Sequence, residues 1–379
     1  MAMTTAGERG EKVRSDVWVG VTDASAAGYD LKTSVESIYG RSLRLQVENA
    51  LKRFGNPGIH LEIHDSGALP FVIEARLEAA ICAHLGTDIP PIHPSPRKPN
   101  RARLRRTRLY VPGNGPKQFA NAGLYRPDGL ILDLEDSVAP DAKLAARAVV
   151  RRALATLDWP GCERMVRIND GHDGLDDLRA VAPQGVEAFL IPKVEGPERI
   201  HEVATVLDDI GLETLLIPLL ESPLGIQNAY AIAKSSPRIV ALAIGLEDYA
   251  TEIRAERSES GEETAFAHGQ LVNAARAAGI SPLASVFPKI DDRDAVFRYA
   301  RRMRGLGFDG IGCIHPRQIR SAHAALAPSA EEVERAKRIV AGYEAAMAEG
   351  RGAVAVSGRM VDAPIYERAR TLLVQGGWL

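Results

Sequence analysis

Cysteine is scarce in this chain: Cys82, Cys162 and Cys313 are the only three in 379 residues, far apart and without a CxxC pair. That excludes a disulfide framework and a cysteine-based zinc site, so buried free thiols are expected. No apolar run approaches the ~18 residues of a membrane helix, and MAMTTAGERGEKVRSD has no apolar core of the secretory kind. A cytoplasmic protein without a membrane partner is expected. Charge of one sign is also lacking: a net charge of -2 gives no global attraction to nucleic acid. The basic stretch from Arg97 to Arg108 reads as a solvated linker, with an interaction patch as its rival. No solenoid-type repeat is visible. What is present, 45% apolar and 25% charged residues, is the balance of a soluble globular protein.

The length suits one barrel-sized domain and one small one. DIPPIHPSPRKPN, Asp88 to Asn100, holds five prolines, which neither a helix nor a central strand accepts, and marks the boundary. Ahead of it lie the strand-like DVWVGV, a mixed segment from Ile38 that becomes helical by Val47, the alternating IHLEIHD, a Ser66-Gly67 turn and the apolar-rich FVIEARLEAAICAHL. Together they make a small α+β domain over 1–86. A Pro/Arg-rich linker over 87–104 follows.

Beyond the linker, short apolar runs alternate with helical segments, the signature of parallel βα units. The runs are RLYV (108 to 111), GLILD (129 to 133), RMVRI (164 to 168), AFLI (188 to 191), LLIPLL (215 to 220), IVALAIG (239 to 245), LASVF (283 to 287) and GIGCI (310 to 314). Eight parallel strands, each with a helix, predict an α/β protein with a (β/α)₈ TIM barrel over 105–328. A carboxy-terminal helix and lid segment then fill 329–379. The helix opens with a capping box, Ser329 and Glu332, and the glycines of GRGAVAVSG suit a mobile lid.

Polar groups stand at the carboxy-terminal end of every run: PGN, LED, ND, PKVE, ESP, LEDY, PK and HPRQ. In TIM barrels that rim carries the active site. Its carboxylates include Glu135, Asp136, Glu195, Glu221, Glu247 and Asp248, with only His315 as an imidazole. Oxygen ligands select a hard cation such as Mg²⁺ over zinc. Glu221 and Asp248 end strongly apolar, neighbouring strands; a helix cap is the rival role for each. Lys117, Lys143, Arg167 and Lys193 supply cations. Arg167 suits bidentate capture of a substrate carboxylate or thioester oxygen, or a salt bridge to Glu135 or Glu221. A Schiff-base role for Lys193 is disfavoured, because nearby carboxylates keep an amine protonated.

In this order the barrel resembles the β subunit of citrate lyase and the related malyl-CoA, citramalyl-CoA and citryl-CoA lyases, over about Arg106 to Leu373. The matching motifs are RLYVPGN, LDLEDSVAPDAKLAAR, VRIND, IPKVEG, LLESPLGIQNAYAIA, AIGLEDYATEI, GFDGIGCIHPRQI and GRMVDAP. The resemblance implies metal-binding carboxylates at Glu221 and Asp248 and a substrate-gripping Arg167. It implies thioester contacts from Tyr110, Lys117, Ile314 and His315; the rim residues Glu135, Asp136 and Lys143 are expected in supporting roles. It places a catalytic aspartate at Asp362, delivered to the neighbouring subunit's site, and hence a homo-oligomer, a trimer or hexamer.

The first 86 residues resemble the γ subunit of citrate lyase, its acyl carrier protein, in SDVWV, SVESIYG and DSGALPFVIEARLEAA. That family carries a phosphoribosyl-dephospho-CoA arm on a serine two residues before the aspartate matching Asp16. Arg14 stands there in this chain, so the domain is expected to be unmodified, with the adjacent Ser15 the one position left for an arm. The expected activity is Mg²⁺-dependent cleavage of a citryl-, citramalyl- or malyl-type CoA thioester. The rivals are a malyl-CoA-type thioesterase and a non-catalytic subunit of a citrate lyase-like complex. A citrate lyase α-type acyltransferase is the implied protein partner.

Overall fold

The computed structural model describes residues 3–258, 260–376 and 378–379. The chain divides after Ala322 into two compact units. The first contains a small sheet domain and a barrel. In the small domain β1 (Thr4–Ala6), β2 (Val17–Asp23), β3 (Gly28–Thr33) and β4 (Ile59–Asp65) form a sheet in the order β1-β2-β4-β3. Helices α1 (Glu36–Arg53) and α2 (Pro70–Leu85) complete it. The sequence reading starts a helix only near Val47, whereas α1 begins at Glu36. Ile38, Tyr39 and Leu45 lie exposed, so they blur the apolar stripe that periodicity arguments depend on.

Strands β5 (Thr107–Pro112), β6 (Gly129–Asp133), β7 (Glu163–Arg167), β8 (Ala188–Ile191), β9 (Leu215–Leu220), β10 (Ala241–Ile244), β11 (Ser281–Val286) and β12 (Gly310–Cys313) follow. They close into a parallel barrel, sealed where Ile311 pairs with Thr107 and Cys313 with Leu109. This is the expected (β/α)₈ architecture, strand for run. Strands such as LLIPLL are buried throughout, because one face meets the barrel interior and the other the helices. Ile131, Met165, Leu190, Ile217, Leu219 and Leu283 fill that interior. Each such buried side chain contributes about 1.5–3 kcal/mol.

The basic stretch is exposed over most of 97–104, as a solvated linker would be, but it is tied to the barrel and turns inward at Arg105. Arg105 holds Glu163 bidentately at 2.8 and 2.6 Å, both groups buried, and Arg106 holds Asp128 at 2.9 Å. Arg101 donates to the carbonyl of Pro237, and Arg97 pairs with Asp158 at 2.8 Å. Their partners lie at or just before strand starts, so these arginines strap the base of the barrel.

The small domain is docked on the barrel through α2, which packs on α4 (Lys143–Thr156). Glu78 of α2 is fully buried and is shared by Arg151 at 2.7 Å, by Arg152, and by Arg53 at 3.4 Å. Cys82, Cys162 and Cys313 are free and buried. Among the described residues no helix is long and apolar enough to cross a membrane.

In the second unit the helix Ala330–Ala348 carries the expected capping box. The segment read as a mobile lid folds as a hairpin, β13 (Val354–Val356) with β14 (Arg359–Val361). Its two-residue turn, Ser357-Gly358, has φ of 50° and 76°, the geometry that matches strand twist. The helix Ala363–Gln375 packs back on the first, with Tyr343 stacked on Tyr366 at 4.7 Å.

Candidate active site

At the carboxy-terminal rim the pairing of β6 with β7 sets Asp133 beside Arg167. Arg167 donates from Nε to Asp133 Oδ1 at 2.6 Å and from Nη2 to Oδ2 at 2.7 Å. Its Nη1 lies 2.7 Å from Glu135 and 3.3 Å from Asp136, and its guanidinium sits 5.4 Å from the Tyr110 ring centre. Burial disfavours both charges, yet their mutual bonds win: Asp133 is held below its ordinary range and Arg167 above. The expected bridge to Glu135 therefore exists within a larger network led by Asp133. Asp133 escaped the sequence reading, although it ends an apolar strand one register step from Arg167.

Glu135 is 4% exposed, with ion-pair contacts to Arg167 and to Lys193 at 3.4 Å, but neither oxygen has a partner in hydrogen-bonding geometry. Burial pushes its carboxyl up to about 7 against the pull of Arg167, with Asp136 adding to the rise. Lys193 is held protonated by Glu135 despite partial burial, which removes the Schiff-base role. Lys143 donates to the carbonyls of Leu134 and Glu135 at 2.9 and 2.6 Å. It therefore fixes the loop after β6.

Glu221, at the end of β9, is 6% exposed and accepts from the Lys193 backbone N–H at 2.8 Å. Asp248 lies in the first turn of the helix Leu246–Glu252. Neither carboxylate caps a helix: Ser222 caps the one after Glu221, and Gly245 occupies the cap position before Asp248. Both carboxylates line one cavity of about 440 Å³ with Tyr110, Asp133, Asp136 and Arg167. Burial, then the charges of Glu135 and Asp248, push Glu221 up to about 8. Among the described residues Glu221 forms no ion pair of its own, and burial disfavours its charge. Among the described residues no cage of three or more metal-ligating side chains exists. Two carboxylates on an open cavity are what the rim presents.

Residues 106–316 match the family described as HpcH/HpaI aldolase/citrate lyase. The chain belongs to this family. The citrate lyase subunit beta of Leuconostoc mesenteroides subsp. cremoris is 36% identical over 287 residues, which cover 72% of this chain and 94% of the relative. A (3S)-malyl-CoA thioesterase of Cereibacter sphaeroides is 34% identical over 259 residues, covering 68% and 89%. The structure of protein CitE from Mycobacterium tuberculosis, in complex with magnesium, acetoacetate and coenzyme A, superposes with a TM-score of 0.63 at 33% identity. It covers 73% of this chain and all of that one. Residues 10–84 match the acyl-carrier family described as malonate decarboxylase delta subunit.

Within this HpcH/HpaI-family barrel the remaining candidates sit apart. Lys117 is exposed in the first turn of α3 (Pro116–Ala122). Ile314 lines the cavity, but the backbone N–H groups of Ile314 and His315 both donate to Gln318 Oε1, at 2.8 and 3.2 Å. Their amides are thereby occupied, which leaves the Ile314 side chain facing the cavity. Ser15 has a left-handed φ of 61°, rare for a residue with a Cβ. Next to it, buried Asp16 is gripped by Arg76, which also donates to the Asn114 carbonyl at 3.1 Å in the loop after β5. The segment of Ser15 is thus fixed beside the barrel rim, through an Arg76 bridge that the sequence reading missed. Asp362 belongs to the second unit, where it caps the helix Ala363–Gln375 through a long 3.4 Å bond from Ile365.

Proposed function

We propose that this chain is a Mg²⁺-dependent lyase that cleaves the carbon–carbon bond of a citryl-, citramalyl- or malyl-type thioester, giving an acyl thioester and a 2-oxo acid. The observation that carries the reading is the convergence of Glu221, Asp248 and Arg167 on one cavity, with neither carboxylate used as a helix cap. The donor set fits the metal. Two oxygen ligands completed by water and substrate suit Mg²⁺, and a cation there would offset the burial and the neighbouring Glu135 and Asp248 charges that disfavour ionised Glu221. When bound there, the ion would lower the pKa of the substrate hydroxyl and neutralise its carboxylate.

The protein's own groups then divide the work. Asp133 presents the Arg167 guanidinium in a fixed plane, where it can stabilise negative charge on the departing thioester enolate. Tyr110 and Ile314 supply apolar surface beside that carbanion equivalent. As the carbon–carbon bond breaks, a base takes the hydroxyl proton, and Asp362, supplied by a neighbouring subunit of a trimer or hexamer, gives a proton to the enolate carbon and removes it in the reverse direction. The substrate is a free CoA thioester in the cytoplasm, because Arg14 replaces an arm-bearing serine. An α-type acyltransferase subunit is a further partner.

The thioesterase relative from Cereibacter sphaeroides supports one rival outcome. Assay of a panel of CoA thioesters with Mg²⁺ separates the readings. The lyase yields oxo acid and acyl-CoA and stops in excess chelator. A thioesterase yields intact hydroxy acid and free CoA. No turnover of any substrate with metal bound would refute both and leave a non-catalytic subunit.

A further inference from the structure

The floor of the cavity holds a cation that the mechanism above does not use. Arg108 precedes Tyr110 by two residues on β5, so both side chains point to the same, inner face of the barrel. Both its neighbours in the sheet, Gly129 and Gly312, lack side chains, which leaves room for a long one. Arg108 is 1% exposed and lines the same cavity as Glu221 and Asp248. Its Nη2 donates to the Ala284 carbonyl at 2.7 Å, while Nε and Nη1 have no partner. Of the other buried arginines among the described residues, Arg76, Arg105 and Arg151 meet carboxylates and Arg164 lies over the Trp159 ring. Arg108 pairs with no acid among the described residues.

A lone buried guanidinium is strongly disfavoured unless something compensates it. Burial alone already pulls its pKa below the ordinary arginine range. The rim acids do not compensate it, because Asp133 is bound to Arg167 and Glu221 to the Lys193 amide. Apolar Leu219, Ala243 and Val286 line the cavity with it. A planar group with N–H bonds unspent, at a buried cavity floor, suits a carboxylate.

We infer that Arg108 is the receptor for a second substrate carboxylate, on the oxo-acid half, so that the barrel selects a thioester with a carboxymethyl group at C3 over those with methyl or hydrogen there. The inference rests on the lyase reading for the name of the substrate, but not for the binding event. The carboxylate shared by all three substrate types, together with the hydroxyl, faces the metal-binding pair Glu221 and Asp248. The additional carboxylate descends to Arg108.

Binding of the corresponding oxo acids tests this without turnover. Calorimetry with Mg²⁺ present should find oxaloacetate bound on the order of 10²-fold more tightly than pyruvate, which lacks only that carboxylate. Arg108→Met keeps the volume and removes the charge. It should bring the two affinities within a few-fold of each other while leaving pyruvate and Mg²⁺ binding unchanged. Arg108→Lys, which keeps a cation but loses the fork, should restore part of the preference. If either variant fails to fold, the oxaloacetate-to-pyruvate ratio of the natural protein still decides: a ratio near one overturns the inference. So does a ratio that survives in Arg108→Met. Absence of thioester cleavage, with the binding preference intact, would count against the lyase reading and in favour of the Arg108 subsite.

Discussion

Gly245 offers a way to move one metal-binding carboxylate without touching it. A Cβ added there would lie 2.4 Å from Glu221 Oε2 and 2.8 Å from Glu221 Cβ. An unstrained carbon contact is about 3.5–4.0 Å, so Glu221 must retreat by about 1 Å. Because the clash reaches its Cβ, rotation of the carboxylate alone cannot relieve it. The backbone at Gly245 has φ −105° and ψ 109°, open to alanine, so Gly245→Ala tests displacement rather than backbone strain. A misplacement of this size costs about 10²-fold in rate, and disturbing the support of a ligand costs about 10–100-fold in metal affinity. The second figure is about 1.4–2.7 kcal/mol. Calorimetric Mg²⁺ titration and kcat/KM should both fall by such factors, with the circular dichroism spectrum unchanged. Values within twofold of the parent would refute the assignment of Glu221 to the metal.

Asp362→Asn should keep folding and metal binding while slowing cleavage by about 10² to 10⁴; mixing it with inactive Arg167→Ala under proven subunit exchange should regain activity, and no regain would refute a shared site. Glu78→Gln leaves three guanidinium groups without their buried counter-charge and should destabilise the protein by about 3–5 kcal/mol in urea unfolding. Removal of residues 1–86 uncovers the face of α4 on which α2 packs and should yield a less stable barrel, seen as aggregation or a lowered Tm. His268 is 4% exposed, packed edge-on against Phe308 at 5.4 Å, and pushed down to about 4 by burial and by Arg302 and Arg257. The unfolded chain binds its proton near 6.5, so between those values the unfolded state holds more protons and stability rises with pH. The contribution is complete above about 6.5 and is lost as pH falls toward 4, about 3 kcal/mol in all. His268→Leu should flatten that part of the stability profile measured from pH 7 to 4.

The barrel is legible because each strand is an apolar run closed by a polar turn, a pattern that depends on local sequence alone. The rim positions are legible for the same reason, and Glu221, Asp248, Arg167 and Tyr110 do line one cavity. What stays hidden depends on partners far along the chain. β3, GYDLKT, is a half-exposed edge strand without an apolar face. The arginines from Arg97 onward look solvated until Asp128, Glu163 and the Pro237 carbonyl are brought beneath them. Asp133 reads as the last residue of a strand, and only the register with β7 makes it the chief partner of Arg167. Arg108 looks like one more member of a basic run, yet it is the residue that turns inward.

The docked amino-terminal domain changes the arithmetic of encounter. A separate carrier must find its enzyme by diffusion, gives up translational freedom on each visit, and dissociates on dilution. Here the Glu78 cluster and the Arg76 bridge to Asn114 hold the two folds in contact within one chain. Their effective concentration is set by geometry rather than by expression level. The Ser15 segment therefore stays beside its own barrel in a one-to-one ratio at any dilution.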